Sequence, residues 1–258
     1  MGNMSVIRLG TRASTLATTQ SEMVAGLLRS EGLDVDLTTI TTHGDTSTAS
    51  LAAMGGIGVF ASAIRAALLE GEADIAVHSF KDLPTGRPLG LAIGAVPVRQ
   101  DPRDALVARD GLTLRNLPQE ASVGTGSPRR AAQLLAARPD LTIVDIRGNV
   151  DTRLGRVRGL GRYAKGGGKE DLDAVVLAAS GLARLGHSDA VTEFLDPSVV
   201  LPAPAQGALA VECRTTDSRH GTLAKALAKI DARKTRLPAT AERAVLAQRC
   251  HLDTSEAP

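Results

Sequence analysis

The chain has 258 residues, a formal net charge of +2, 43% hydrophobic residues and 2% aromatic ones. That length suits one large or two ordinary domains, and the near-neutral charge argues against a bulk polyanion binder. No apolar run approaches the ~18 residues of a membrane span, and "MGNMSVIRLG" lacks the basic and long apolar regions of a secretory signal, so a soluble cytoplasmic protein is expected.

"SVIRLG" reads as a strand leading into a helix from about Leu16 to Ser30, where Leu16, Met23, Val24, Leu27 and Leu28 recur at helical spacing. "DVDLTTITT" alternates as a strand, Val59 to Glu70 is helical, and "DIAVH" is a strand. "GGIGVF" before that helix is a weak glycine signal and reads as a mobile loop. "LAIGAVPV" and "DALVA" follow around the turn-rich "RQDPRD". Then come "ASVGTGS", a helix from Arg129 to Ala137, strand "TIVDIRG", a helix from Asp151, and strand "DAVVLAAS" with a helix behind it. "LPAPAQGALAVECR" is another apolar, proline-containing run, and Ala239 to Gln248 is helical. Strand–helix repetition of this kind predicts an α/β fold with mostly parallel strands. Two such blocks meet near Pro97 to Arg103, and "LPAPAQGALAVECR" offers a way back.

Two cysteines, Cys213 and Cys250, argue against a disulfide framework and against a cysteine-based metal site. The basic residues are 24 Arg and 6 Lys. Arginine holds carboxylates and phosphates in two-point contact, although a GC-rich genome gives the same excess, so position has to decide. Functional groups in open α/β sheets gather at the carboxyl ends of strands. "GTRAS", "HSFKD", "GTGSPRR" and "RGNVDTR" all fall at such ends. Three of them carry Arg beside small residues that expose backbone N–H, which suits an anionic ligand. "GTGSPRR" lacks the G-K-[ST] ending of a phosphate-binding P-loop.

The ordered set "GTRAS", "VHSFKDLP", "RQDPRDALV", "VGTGSPRR", "IRGNVDTRL", "LAASGLARLG", "LPAPAQGALAVECR" and "TAERA" resembles the porphobilinogen deaminase (hydroxymethylbilane synthase) family across nearly the whole chain. The resemblance implies an enzyme that joins four porphobilinogen molecules head to tail, releasing ammonia, for haem and related tetrapyrroles. It implies a covalent dipyrromethane cofactor on a cysteine, and a monomeric, cytoplasmic protein with no nucleic-acid or membrane partner. It also implies two type II periplasmic-binding-protein-like lobes with a hinge and a cleft, plus a remnant of a small third α/β domain. The expected division is 4–100 with 202–220 for the first lobe, 101–201 for the second and 221–258 for the remnant.

By the same resemblance Asp82 is the catalytic carboxylate, facing a pyrrole N–H and the cation formed when ammonia leaves. Lys81 balances it and is expected to face substrate carboxylates, and His78 is expected to be structural rather than a base. Arg12, Ser14, Arg129, Arg130, Arg147, Arg153 and Arg184 match residues that hold acetate and propionate side chains. Thr125, Gly126 and Ser127 are expected to offer N–H and hydroxyl donors, and Gln206 to sit near the hinge. Ala53 and Ile57 stand where many relatives place lysines.

The family continues past "TAERAVLAQ" to a glycine-flanked cysteine and "PIG". Here the chain reads "RCHLDTSEAP", so a shortened end is expected. Cys250 is the candidate attachment residue, though its flanks do not match the motif, and Cys213 is expected to be buried. Two other readings stay open at this point: an impaired homologue that only binds anionic pyrroles, and a cytosolic anion-binding two-lobe protein. The few aromatic residues and low net charge speak against a nucleic-acid binder.

Overall fold

A computed structural model describes residues 6–40, 59–86 and 88–255, with side chains for all of these except 59, 60 and 249–255. Ala53, Ile57 and most of the expected glycine loop lie outside the described residues. In chain order the elements are β1 (Ile7–Thr11), α1 (Thr15–Ser30), β2 (Val35–Thr39), α2 (Val59–Leu69), β3 (Ile75–Ser79), β4 (Leu91–Ala95), β5 (Asp104–Ala108), β6 (Ser122–Gly124), α3 (Pro128–Ala137), β7 (Thr142–Val144), α4 (Val150–Leu154), β8 (Ala174–Ala178), α5 (Ala179–Arg184), β9 (Glu193–Phe194), β10 (Leu209–Arg214), α6 (Gly221–Ile230) and α7 (Arg233–Ser255). The last helix begins six residues before its expected start and runs through Pro238. A proline lacks the N–H an interior helical position needs, so local sequence alone does not carry a helix across Pro238. No helix among the described residues is long and apolar enough to cross a membrane.

The chain forms two compact units, residues 1–100 with 208–258 and residues 101–207. The first contains a sheet of strand order β2-β1-β3-β10-β4, the second a sheet of order β7-β6-β8-β5-β9. The α/β class holds, but the expectation of mostly parallel strands does not. β1 pairs in parallel with β2 and β3, whereas β10 runs antiparallel to both β3 and β4. Likewise β6 is parallel to β7 and β8, whereas β5 is antiparallel to β8 and β9. Apolar periodicity reports which face a residue occupies, not the direction of the strand. The antiparallel members β5 and β10 are the strands reached just after the chain passes from one unit to the other.

Strand alternation feeds two cores per unit, because helices cover both faces of each sheet. In the first unit Ile75 and Val77 of β3 pack with Val24 and Leu28 of α1. Ala76, between them, packs with Ile64 and Leu68 of α2. Leu223, Ala226 and Leu227 of α6 join the α1 side, so residue 221 is not a break in packing. In the second unit Ala174 and Val176 of β8 meet Leu134 of α3. Val175 and Leu177 turn to the opposite face and meet Leu154 of α4 and Leu182 of α5.

Candidate functional site

Parallel strands place their carboxyl ends on one edge of a sheet, and both units use that edge for polar groups. In the first unit Arg12 follows β1 and is half-buried. Ser14 is the N-cap of α1, its Oγ accepting from Ala17 N at 3.4 Å; capping is its visible role. Ser79 ends β3 and pairs through Oγ with the Gln20 side-chain amide at 3.1 Å. The chain then makes a single 3₁₀ turn, Phe80–Asp82. Phe80 and Leu83 are buried on either side of it, while Asp82 is exposed. Among the described residues Asp82 has no hydrogen-bond or ion-pair partner, and Lys81 sits beside it, half-buried.

One residue inward, His78 behaves as a structural group. It is buried, with Nε2 3.2 Å from Glu212 Oε2, off the line of a good hydrogen bond. Arg65 Nε reaches both oxygens of Glu212, at 3.1 and 3.0 Å. Burial alone would raise the Glu212 carboxyl. His78 and Arg65 outweigh it and hold the group below its ordinary value.

The second unit corrects several expectations. Asp104, fully buried at the start of β5, accepts from Arg130 Nε at 3.0 Å and Nη2 at 2.7 Å, and from Arg129 Nη2 at 2.7 Å. Gln206 Nε2 donates to the same carboxylate at 2.8 Å and to Pro102 O at 2.8 Å. Ala205, beside it, takes the left-handed φ of 61° that delivers this side chain. Arg129, Arg130 and Gln206 therefore surround an internal anion. Arg130 is spent on it, since its Nη1 goes to Val176 O at 3.1 Å. Arg129 keeps more exposure but also donates to Leu201 O.

The expected N–H cradle is also largely used up. Thr125 N donates to Val144 O at 3.0 Å. Ser127 N donates to Thr125 Oγ1 at 3.2 Å, and Ser127 Oγ caps α3 by accepting from Arg130 N. Gly126 is required sterically: a Cβ there would lie 2.6 Å from Ile146 O. A tight turn built from small residues satisfies its own donors, a demand that sequence spacing does not reveal.

The same edge also carries Arg147, Arg153 and Arg184. Arg147 is exposed, its Nε 4.0 Å from Asp145 Oδ2. Arg153 donates Nε to Gly148 O at 2.8 Å and has no carboxylate partner among the described residues. Burial, then the neighbouring charge of Arg130 and that of Arg147, hold its pKa below the usual guanidinium value. Arg184 donates Nη2 to Gly207 O at 2.8 Å, while its buried Nε has no acceptor among the described residues. Burial brings its pKa down to about 10, so it stays charged at neutral pH. A buried cation without a counter-ion is costly. An incoming carboxylate would relieve both sites.

Sequence reasoning missed Asp104, Glu212 and Arg243. The available signal was a lone carboxylate in an otherwise apolar strand, "DALVA" and "AVECR", which demands a buried cation. Cys213 is fully buried in β10, and burial, with Asp217 nearby, pushes its thiol up to about 11. Thiol labelling of the native chain near pH 8 is expected to spare Cys213, because only the thiolate reacts at a useful rate. A modified peptide covering 209–214 from folded protein would contradict that. Cys250 falls within α7, but its side chain is outside the described residues.

A family model described as "Porphobilinogen deaminase, dipyromethane cofactor binding domain" matches residues 7–222. A relative from Cutibacterium acnes, named porphobilinogen deaminase, is 93% identical over 94% of this chain and 73% of its own length. Others of the same name from Leifsonia xyli and Mycobacterium marinum are 58% and 54% identical, over 93% and 94% of this chain and 71% and 73% of theirs. Solved structures with partial likeness include a periplasmic substrate-binding protein of an ABC transporter from Coxiella burnetii. It has a TM-score of 0.49 and 17% identity, covering 92% of this chain and 95% of that one. A nutrient-binding protein from Burkholderia cenocepacia bound to methionine also has a TM-score of 0.49, with 15% identity, covering 91% and 93%.

Proposed function

The chain belongs to the porphobilinogen deaminase family, and we propose that Asp82 is its catalytic carboxylate and that Arg153 and Arg184 hold pyrrole carboxylates. The family activity is the polymerisation of four porphobilinogen molecules into hydroxymethylbilane, with release of ammonia, in tetrapyrrole biosynthesis. The cofactor is dipyrromethane, and the matched region is the domain that binds it. The orphaned Nε of Arg184, and the lack of a hydrogen-bonded carboxylate on Arg153 among the described residues, fit a group that carries acetate and propionate side chains. When bound, dipyrromethane supplies the primer to which pyrroles are added.

In porphobilinogen the aminomethyl nitrogen leaves as ammonia with the C–N electron pair. A methylene-pyrrole cation remains. Attack by the free α-carbon of a neighbouring pyrrole forms the C–C bond, and loss of the α-proton restores aromaticity. In the proposed role Asp82 accepts a hydrogen bond from the pyrrole N–H and opposes the positive charge as it develops. That no cation pairs with it among the described residues supports this: a carboxylate already paired would have less field to give. In this proposal Arg12 and Lys81, at strand ends of the first unit, and Arg129 and Arg147, at strand ends of the second, contribute positive potential, with Ser14, Thr125 and Ser127 shaping the turns that present them. Arg130 and Gln206 hold Asp104 rather than substrate.

The observation that carries the binding role is Arg184, a half-buried cation whose buried Nε has no acceptor among the described residues. Arg184→Met and Arg153→Met are each expected to lower kcat/KM for porphobilinogen about ten- to a hundredfold, the loss of one charge-assisted contact. Arg→Lys at either position is expected to recover little, because one ammonium does not reproduce the fork. The assay is hydroxymethylbilane formation, with intact mass of the protein read in parallel. Unchanged kcat/KM in both Met variants would remove these arginines from the site. The enzyme is a cytoplasmic monomer without nucleic-acid or membrane partners in this proposal, which the low net charge and scarcity of aromatic side chains support.

A further inference from the structure

Arg243 lies in α7, 161 residues along the chain from Asp82, yet its guanidinium is committed to the Asp82 turn. Nη1 donates to Phe80 O and to Leu83 O, both at 2.8 Å, and Nη2 to Pro84 O at 2.7 Å. The same guanidinium lies over the Phe80 ring, 4.5 Å from its centroid. It has no carboxylate partner among the described residues. Three carbonyls within five residues therefore converge on one cation, which fixes the curvature of the turn between them. Phe80 and Leu83 point into the core, Phe80 N is tied to Ala208 O at 3.0 Å, and Asp82 is the side chain left projecting outward.

The helix that carries Arg243 is itself anchored one residue earlier. Glu242 receives both terminal nitrogens of Arg99, at 2.7 and 2.9 Å. Thr235 Oγ1 accepts from Arg99 N at 2.9 Å, and Ala239 is fully buried. A cavity of about 540 Å³, lined in part by Arg65, Phe80, Leu83, Arg219, Arg236 and Arg243, opens beside the guanidinium.

We infer that Arg243 is a positioning residue for the reaction, holding the 80–84 turn so that the Asp82 carboxylate is presented in one orientation. The inference rests on the proposed catalytic role of Asp82. A cation that meets three backbone oxygens and a ring face locks a segment more tightly than any one of those contacts. Catalytic groups lose much of their effect when displaced by an ångström.

The test uses the full chain and four variants: Arg243→Met, Arg243→Lys, Asp82→Glu and the Arg243→Met/Asp82→Glu double. Arg243→Met is expected to lower kcat per folded molecule at least about tenfold while KM for porphobilinogen moves less than about threefold. Arg243→Lys is expected to rescue little, since one ammonium does not reach three carbonyls and the ring together. In the Asp82→Glu background, where the carboxylate is already displaced, Arg243→Met is expected to cost less than about threefold more. A kcat within about threefold of the parent in Arg243→Met, or losses that multiply in the double variant, would overturn the inference. Failure of both Arg243 variants to reach the parent's circular-dichroism spectrum also counts against it, because the residue would then be required for the fold rather than for orientation. Asp82→Asn separates the two ideas: an active Asp82→Asn removes the catalytic reading, whereas an inactive one with normal Arg243→Met removes only the positioning role.

Discussion

Asp82→Asn is expected to abolish measurable turnover and leave the fold intact. The side chain is exposed and has no ion pair or hydrogen bond among the described residues to lose, so its neutralisation costs little stability. Its effect on the reaction is of another size. A carboxylate about 4 Å from a developing cation is worth roughly 4 kcal/mol at an effective dielectric near 20. That corresponds to a rate loss of roughly a thousandfold when the charge is removed. Single-turnover ammonia release is the cleanest assay, paired with a melting curve expected to lie within about 3 °C of the parent. Parent-like ammonia release from a well-folded Asp82→Asn protein would end the proposed mechanism.

Asp104→Ala is expected to have the largest effect on stability. The fully buried carboxylate receives Arg129, Arg130 and Gln206 together, and its removal leaves buried cationic and amide donors without an acceptor. Breaking a buried pair in this way costs about 3–5 kcal/mol, which urea unfolding of the full chain would record as a lower midpoint for residues 101–207. The pH dependence follows from the same geometry. Burial alone would raise the Asp104 carboxyl, but Arg130 and Arg129 outweigh it and hold the group below its ordinary value. A carboxylate with a depressed folded pKa stabilises above its unfolded value of about 3.9, and that contribution disappears as pH falls through the folded value. The parent should therefore lose stability more steeply than Asp104→Ala below about pH 4. Parallel slopes for the two proteins, or a midpoint unchanged at neutral pH, would show that the network contributes nothing.

Those two residues differ in how much of their setting the sequence makes legible. Asp82 was visible because "HSFKDLP" ends an apolar strand with a polar turn and a proline, and a strand end is where an α/β sheet exposes function. Asp104 was passed over because "RQDPRD" looks like a solvated turn; only the fold carries its last residue into the core beneath two arginines. Arg129 and Arg130 stand next to each other in "GTGSPRR" and looked alike. The helix that follows turns Arg130 inward to Asp104 and Val176 O and leaves Arg129 more exposed. Thr125 and Ser127 were read as donors to a ligand, but their N–H groups close the turn that contains them.

By itself the sequence determined the α/β class, the order of the helices and strands, the strand ends where polar groups collect, and the family. All of these depend on near neighbours along the chain: apolar periodicity, capping residues, short motifs. Strand direction in the two sheets, the choice between arginines that serve a buried carboxylate and arginines left with charge to offer, and the hold of Arg243 on a turn 161 residues away were decided only by the tertiary structure. The physical reason is that a charged side chain acts according to what lies within a few ångströms of it. Folding brings those neighbours from segments whose spacing along the chain carries no record of the encounter.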